Sequence, residues 1–214
     1  MAVGSWSHRL VRPFVRPLAR TAVTPNQLTC LRAITGVLAC LCFAWGSRDG
    51  QVWGGVIWLL SALLDRADGE LARIANRSSP AGHRYDYAVD MSLNASMFAA
   101  VGVGLRHSSL GLWAILLGLV CCVCLFLCLY WSEEIENTLE PGAVVLGGGG
   151  GFDPDDLFYL IGPLACAGLL RFVLLAGSIV LVPAAAVIGA WFWRARREVR
   201  FNRRRRVNGQ TRNV

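Results

Sequence analysis

The sequence predicts an all-α integral membrane protein with six transmembrane helices and an N-terminal amphipathic helix at the membrane interface. Hydrophobic residues make up 55% of the 214 residues. The mean hydropathy of +0.47 is well above that of a soluble globular protein. Six apolar stretches alternate with polar segments, and most of them approach the length that a helix needs to cross a bilayer. All 21 basic residues are arginines, and most of them lie outside these stretches. The length suggests a single domain.

Residues 1–24 form a basic arm that we expect to fold as an amphipathic helix on the membrane surface. Its arginines recur every three to four residues among apolar and aromatic side chains, at Arg9, Arg12, Arg16 and Arg20. This pattern is typical of interfacial helices. Pro13 and Pro17 count against a regular helix because each removes a backbone donor, and a frayed basic tail is the alternative.

The predicted membrane domain, residues 25–196, begins with a capped helix. Thr24 or Asn26 can accept a hydrogen bond from the first turn, and Pro25 suits the first helical position, where no N–H partner is needed. The apolar stretches that follow are predicted as the first four spans, at residues 28–46, 52–64, 85–105 and 110–131. Short polar turns separate them, apart from a longer polar connection between spans two and three, at residues 73–82.

The last two spans are predicted at residues 157–176 and 179–193, with a break at Gly177-Ser178. A run of five glycines, 147–151, precedes them and is compatible with a mobile lid or with an ordinary linker. The acidic sequence that follows this run is expected to cap span five, with a further metal ligand as the alternative, through Asp153, Asp155 or Asp156.

Residues 197–214 form a basic tail that contains four consecutive arginines. Because the tail directly follows a spanning helix, we expect it to bind anionic lipid and not nucleic acid. Six spans place the arm, the polar connection and the tail on one side of the membrane, and this side holds nearly all the arginines, since the opposite face has at most Arg48, Arg106 and Arg171. The positive-inside rule therefore puts both termini in the cytoplasm, and we expect the membrane to be a bacterial inner membrane.

Four aspartates lie on this predicted cytoplasmic side, where spans two and three meet the polar connection. Asp65 and Asp68 are three residues apart, and Asp86 and Asp90 are four apart, so either pair shares one face of a helix. Clustered carboxylates near a membrane are costly unless cations neutralise them. Oxygen ligands without nearby His or Cys favour Mg²⁺, Mn²⁺ or Ca²⁺ over zinc. Two such metals can clamp a phosphoryl group during displacement at phosphorus. The alternative is that the aspartates cap helices or form structural ion pairs with nearby arginines, Arg73, Arg77 and Arg84.

The stretch from Asp65 to Asp90 resembles the signature of the CDP-alcohol phosphotransferases. The four aspartates occur with Gly69, Ala72, Arg73 and Gly82 in the order D-x2-D-G-x2-A-R-x8-G-x3-D-x3-D, and no position departs from the family's pattern. The resemblance implies a transferase of phospholipid biosynthesis that moves a substituted phosphate from a CDP-linked donor to the hydroxyl of an alcohol and releases CMP. It also implies dependence on Mg²⁺ or Mn²⁺ at a two-metal site, and a homodimer.

By this resemblance all four aspartates are metal ligands, and Asp90 is also the catalytic base that takes the proton of the acceptor hydroxyl. The residues taken alone leave the four aspartates unranked. The resemblance also implies that the remaining signature residues shape the CDP site, namely Gly69, Ala72, Gly82 and Arg73.

Two further regions are candidates for substrate contacts. The opening Pro25-Asn26-x2-Thr29 is similar to the start of the family's first span, which lies near the nucleotide. Asn26 or Thr29 could therefore bind CDP, with plain helix capping as the alternative. Arg84 could bind an anionic acceptor or, equally, a lipid headgroup.

Two substrate arrangements remain open. In the first, the donor is CDP-diacylglycerol and the acceptor is a small polar alcohol such as glycerol phosphate, serine, inositol phosphate or choline. In the second, a CDP-amino alcohol donates to a lipid hydroxyl such as that of diacylglycerol or ceramide. Choline and ethanolamine phosphotransferases usually carry a His after the third aspartate of the signature, whereas Tyr87 stands here. We therefore favour CDP-diacylglycerol.

Proteins of other classes can also hold acids within a membrane, and a divalent-metal transporter or an inactive scaffold are the alternatives. Transport sites tend to lie near the midplane between internal repeats. Here the aspartates are predicted at one face of the membrane, and no internal repeat is visible. An inactive scaffold would be expected to have lost at least one signature aspartate. Both alternatives are therefore disfavoured.

Overall fold

The computed structural model describes residues 6–77, 79–146 and 154–210, and over these ranges the chain contains helices and turns without strands. Seven α-helices follow one another: α1 (Trp6–Leu18), α2 (Pro25–Trp45), α3 (Arg48–Ile74), α4 (Pro80–Gly104), α5 (Trp113–Glu134), α6 (Ile161–Cys166) and α7 (Leu170–Gln210). By length and composition, α2, α4, α5 and α7 can each cross a membrane. The all-α integral membrane class is therefore confirmed, and six spans stay a prediction.

Residues 24–27 determine where α2 begins. The Thr24 hydroxyl accepts a hydrogen bond from the Gln27 backbone N–H at 3.4 Å, and the Gln27 side chain accepts one from the Thr24 N–H at 2.9 Å. This reciprocal capping box satisfies two N–H groups that the helix leaves unpaired, with Pro25 in the first position. Thr24 is thus the cap, and Asn26 lies inside the first turn with its side chain available for other contacts.

The polar connection between α3 and α4 is shorter than residues 73–82. Helix α3 continues through the first aspartate pair to Ile74, and α4 begins at Pro80 with Ser79 as its cap. The Ser79 hydroxyl accepts a hydrogen bond from the Gly82 N–H at 3.0 Å. A serine cap followed by proline starts the helix early, so Gly82 is helical and only 75–79 connect the two helices.

The predicted break between spans five and six is wrong in its position. The turn lies at residues 167–169, where Gly168 has a φ of +78°, and α7 continues unbroken through Gly177 and Ser178. A Cβ on Gly177 would lie 2.5 Å from the Phe98 ring. Gly177 therefore provides close packing between α4 and α7, which a local sequence pattern cannot distinguish from a helix break.

The segment that precedes α7 is short and irregular, unlike the span predicted at residues 157–176. A 3₁₀-helix (Pro154–Leu160) leads directly into α6, and both pack along α3. Trp58 donates to the Phe158 carbonyl at 2.9 Å, and Arg48 donates to the Ala165 carbonyl at 3.1 Å. Side chains of α3 thus satisfy backbone oxygens of this segment, as an apolar environment requires.

Helix α1 forms as predicted, with both prolines inside it. Its buried face is covered by protein: Val11 and Val15 are buried against Leu71 of α3. Arg12 also pairs with Glu70 at 3.2 Å. The arm therefore packs on the end of α3 that carries the aspartates, which refines the expectation of a helix lying only on the membrane surface.

At its C-terminal end, α7 extends past residue 196 to Gln210, so the helix shows no break at the predicted start of the basic tail. The glycine run 147–151 and Asp153 lie outside the described residues, as do the side chains of Asp155 and of residues 202–214.

Candidate active site

Three of the four signature aspartates converge in space. Asp65, Asp68 and Asp86 each offer a carboxylate oxygen, and these oxygens lie within 4.8 Å of one another. The end of α3 supplies the first two and the start of α4 supplies the third, as the helical spacing predicted. Asp90 lies beside this group but is not part of it, and its carboxylate pairs with Arg32 and Asn94.

The side chain that joins Asp90 to the others is Arg32 of α2, which sequence reasoning did not select. Its guanidinium is 4% exposed and lies 2.5 Å from Asp65 and 3.5 Å from Asp86, and its other terminal nitrogen pairs with Asp90. The arginines expected as ion-pair partners were Arg73, Arg77 and Arg84. The signal that could have identified Arg32 was its position within an apolar stretch, because a charge inside a membrane usually serves a function.

Two more polar side chains fix the carboxylates. Thr29 Oγ1 donates a hydrogen bond of 2.7 Å to Asp68 Oδ2, and both residues are 2% exposed. Asn94 Nδ2 donates a hydrogen bond of 2.6 Å to Asp90 Oδ1, the same oxygen that pairs with Arg32. Asn94 was also missed by sequence reasoning, although it lies one helical turn after Asp90 on the same face.

The site brings several carboxyl groups together away from water. Asp65 and Asp68 lie on the part of α3 that extends past the apolar stretch 52–64, where burial raises the pKa of both carboxyls and the neighbouring carboxylates raise it further. A bound cation would offset this cost and keep the carboxylates ionised. Asp86 Oδ1 is buried and accepts no hydrogen bond from the described residues. A hard divalent cation fits this arrangement, since Mg²⁺ and Mn²⁺ prefer carboxylate oxygens. The cluster can therefore hold a metal, as the sequence predicted.

The residues predicted for the nucleotide lie at the same end of the bundle. The Asn26 side-chain oxygen is 3.2 Å from the point where a Cβ on Gly82 would lie, so α2 and α4 meet there. Gly69 directly follows Asp68, and a Cβ on it would have no neighbour within 4 Å. Thr29 reaches the site through its bond to Asp68. The open space at Gly69 would let a ligand approach the backbone closely.

Comparison with known proteins decides the family. The sequence model of the CDP-alcohol phosphatidyltransferases matches residues 22–193. This chain belongs to the CDP-alcohol phosphatidyltransferase family. The match confirms the resemblance read from the aspartate signature, and it covers every signature residue named above.

Individual relatives of this chain match over part of their length. The archaetidylinositol phosphate synthase of Pyrococcus horikoshii is 33% identical over 89 residues, 42% of this chain and 46% of that protein. A bifunctional IPC transferase and DIPP synthase of Thermococcus kodakarensis is 28% identical over 113 residues, 53% of this chain and 25% of that protein. The chain thus spans less than half the length of these curated relatives.

A solved structure shares the fold. The phosphatidylinositol phosphate synthase of Mycobacterium tuberculosis, solved with CDP-DAG bound, superposes with a TM-score of 0.69 at 19% sequence identity. The alignment covers 86% of this chain and 94% of that chain. At this level of identity the similarity establishes the common helical architecture.

A cavity adjoins the carboxylates on the side of Asp65 and Asp90. It lies between α2, α3, α4 and the 3₁₀-helix, and its wall combines polar and aromatic side chains, namely Arg32, Trp58, Ser61, Arg66, Asn94 and Tyr159. Arg66 pairs with Asp156 at 3.5 Å, and the Asp156 side chain is fully buried. Asp156 thus links the 3₁₀-helix to α3 through an ion pair.

Arg73, predicted to shape the CDP site, and Arg84, the candidate for an anionic acceptor, are exposed in this structure. Arg73 lies 3.3 Å from Glu70, whose carboxylate also pairs with Arg12 of α1. Arg84 is exposed near the start of α4. The guanidinium that reaches the carboxylates is that of Arg32, so the basic character of the site comes from α2.

Proposed function

We propose that this protein transfers a substituted phosphate from a CDP-linked donor to the hydroxyl of an acceptor alcohol and releases CMP. One observation carries the proposal: Asp65, Asp68 and Asp86 converge as a cation site, and Asp90 is held separately beside them. A metal site next to a carboxylate outside the ligand group provides the two functions that displacement at phosphorus needs.

The metal ligands in this proposal are Asp65, Asp68 and Asp86, with Asp90 at the edge of the group. A divalent cation bound there, Mg²⁺ or Mn²⁺, would supply positive charge for the donor diphosphate and for the departing CMP oxygen. The family resemblance implies two metals, and Asp90 would be a ligand of the second.

Asp90 is the proposed base. Its Oδ1 accepts hydrogen bonds from both Arg32 and Asn94, whereas neither bond involves Oδ2. Oδ2 can then take the proton of the acceptor hydroxyl as that oxygen attacks phosphorus. A new P–O bond forms, the bond between phosphorus and the bridging oxygen breaks, and CMP leaves with the electron pair.

The donor and the acceptor would approach from different sides. We place CDP near Asn26, Thr29 and the signature residues of α3 and α4, namely Gly69, Ala72, Arg73 and Gly82. We place the reacting hydroxyl of the acceptor in the cavity beside Asp90, with Arg84 as a weaker candidate at the exposed rim. In-line displacement requires the attacking and leaving oxygens on opposite sides of phosphorus, which two separate approaches allow.

We favour CDP-diacylglycerol as the donor and a small polar alcohol as the acceptor. Tyr87 after the third aspartate supports this choice, and the fold neighbour was solved with CDP-DAG bound. The name of the Pyrococcus relative points to an inositol phosphate acceptor. A CDP-amino alcohol donating to a lipid hydroxyl is the alternative arrangement.

The membrane setting is also part of the proposal. Both termini and the active site would face the cytoplasm of a bacterial inner membrane, where CDP-linked donors are made. The arginines that follow the apolar part of α7 would bind anionic lipid headgroups, including Arg194, Arg196 and Arg197. The family resemblance supports a homodimer.

The test is CMP release by the purified protein in detergent or liposomes with Mg²⁺ or Mn²⁺. CDP-diacylglycerol is supplied with a panel of polar alcohols, and CDP-choline and CDP-ethanolamine are supplied with diacylglycerol or ceramide. We expect acceptor-dependent release that falls at least about 100-fold in Asp90→Asn. Asp49→Asn, at the opposite end of α3, is the matched control and should retain activity. Release that Asp90→Asn leaves unchanged would refute the base assignment.

A further inference from the structure

Arg32 occupies a position where a cation is required. Its guanidinium is almost completely buried and contacts three carboxylates, those of Asp65, Asp86 and Asp90. The fourth carboxylate, Asp68, is held by the neutral hydroxyl of Thr29. Arg32 thus supplies a positive charge to three of the four carboxylates.

We propose that, in the substrate-free protein, Arg32 takes the place of the second cation of the carboxylate site. A single divalent cation then binds at Asp65, Asp68 and Asp86, and the group formed by Asp65, Asp86 and Asp90 is filled by the guanidinium. The inference rests on the proposed metal site, and it changes the expected metal content of the free protein from two ions to one.

The Arg32 guanidinium fills the space between two of the carboxylates, since one of its terminal nitrogens lies 2.5 Å from an Asp65 oxygen. The other terminal nitrogen contacts Asp90. A second metal bridging these two carboxylates would have to displace the guanidinium from both.

When all four are ionised, the carboxylates exceed the one guanidinium by three charges, so one divalent cation leaves a single net negative charge. A second divalent cation would leave the group positive and would sit next to a fixed cation in a partly buried site, where charges repel more strongly than in water. Binding of the second ion would therefore be weak until an anionic diphosphate arrives.

Arginine suits this position because its guanidinium stays protonated and its planar fork can contact several carboxylates at once. The Ser61 hydroxyl donates a hydrogen bond of 3.1 Å to the backbone carbonyl of Arg32 and so joins α3 to α2 at this residue. The backbone that carries Arg32 is thus fixed against the helix that carries Asp65 and Asp68.

The test counts bound Mn²⁺ in the full-length protein without substrate, by electron paramagnetic resonance of free Mn²⁺ during titration. We expect one ion per chain in the wild type and two in Arg32→Met, with the second ion bound at least tenfold more tightly than in the wild type. Arg48→Met is the matched control, since Arg48 caps carbonyls at the other end of α3, and it should bind one ion. Two ions of similar affinity in the wild type, or one ion in Arg32→Met, would overturn the proposal.

A second measurement does not depend on the stability of a variant. Anomalous scattering from wild-type crystals soaked in Mn²⁺ without nucleotide should show one ion, at Asp65, Asp68 and Asp86, with the Arg32 guanidinium still on Asp90. A peak between Asp65 and Asp90 would contradict the proposal. CMP release is measured separately on the wild type, so failure of the proposed reaction and failure of the Arg32 inference are distinguishable.

Discussion

Thr29 and Asp68 are 39 residues apart in the chain, and the threonine hydroxyl donates a 2.7 Å hydrogen bond to the aspartate in the protein interior. This bond joins α2 to the metal-binding end of α3. It also gives Thr29, which sequence reasoning proposed for the nucleotide, a role in orienting a metal ligand.

Replacing Thr29 by valine should therefore destabilise the protein and weaken metal binding. Valine keeps the shape but removes the donor, so a buried carboxylate loses a charge-assisted bond worth about 1–3 kcal/mol. Thermal unfolding and Mn²⁺ titration would measure both effects. Thr35→Val is the control, because the Thr35 hydroxyl bonds only to carbonyls of its own helix, those of Leu31 and Arg32. Equal effects of the two substitutions would argue against the interhelical role.

Asn94→Ala should lower kcat about tenfold or more and leave the KM for the donor nearly unchanged. Asn94 holds the Asp90 oxygen that also pairs with Arg32, so its loss would misorient the base without altering the CDP side. Steady-state kinetics with varied donor at saturating acceptor would separate the two parameters. A rise in donor KM that matches the fall in kcat would instead indicate a general disturbance of the site.

Gly69→Ala should fold normally and bind the donor at least about tenfold more weakly. The position has no neighbour within 4 Å of a Cβ, so the protein itself accommodates the methyl group. A donor lying against the backbone would be obstructed. Thermal unfolding would verify the fold, and donor KM would report the obstruction. An unchanged KM would place the diphosphate elsewhere.

Arg66→Gln should destabilise the protein by about 3 kcal/mol, because it leaves the fully buried Asp156 carboxylate without its salt bridge. The double variant Arg66→Gln with Asp156→Asn should regain much of this loss, since neither residue then carries a charge. Denaturant or thermal unfolding of the single and double variants measures the coupling. Additive losses would show that the two side chains act independently.

Gly177→Val should destabilise the packing of α7 on α4 by about 1–3 kcal/mol, because the added side chain would overlap the Phe98 ring. Combining it with Phe98→Ala should relieve the overlap, although that change also leaves a cavity. Thermal unfolding of the membrane-embedded protein would report the effect. A Gly177→Val protein as stable as the wild type would show that the helices can separate there without cost.

The aspartate site was predictable because its main feature is local. Spacings of three and four residues place carboxylates on one helix face wherever the helix lies, so Asp65, Asp68, Asp86 and Asp90 could be grouped from the sequence. The start of α2 was likewise local, since capping depends on the nearest few residues. The family signature added roles that spacing cannot assign.

The contacts that complete the site were not predictable, because they join residues far apart in the chain. No residue of α2 indicated an ion-pair partner for Arg32. The arginines expected to pair with the aspartates were ones nearer to them in the sequence. Asp156 was expected at the start of span five, and its ion pair with Arg66, 90 residues earlier, could not be read from its neighbours. In each case the polar group had several local options, and only the packing of helices selected one.

The sequence by itself determined the helical membrane class, the family and the end of the bundle where the aspartates lie. Hydrophobic content, helical spacing and motif order are local properties of the chain, so they can be read without knowledge of how the helices pack. The tertiary structure alone decided that Arg32 stands among three carboxylates, that Asn94 holds Asp90 and that the chain turns at Gly168 and not at Gly177. These features depend on which helix faces meet, and the energies that select them are the burial of charge and the fit of side chains between helices.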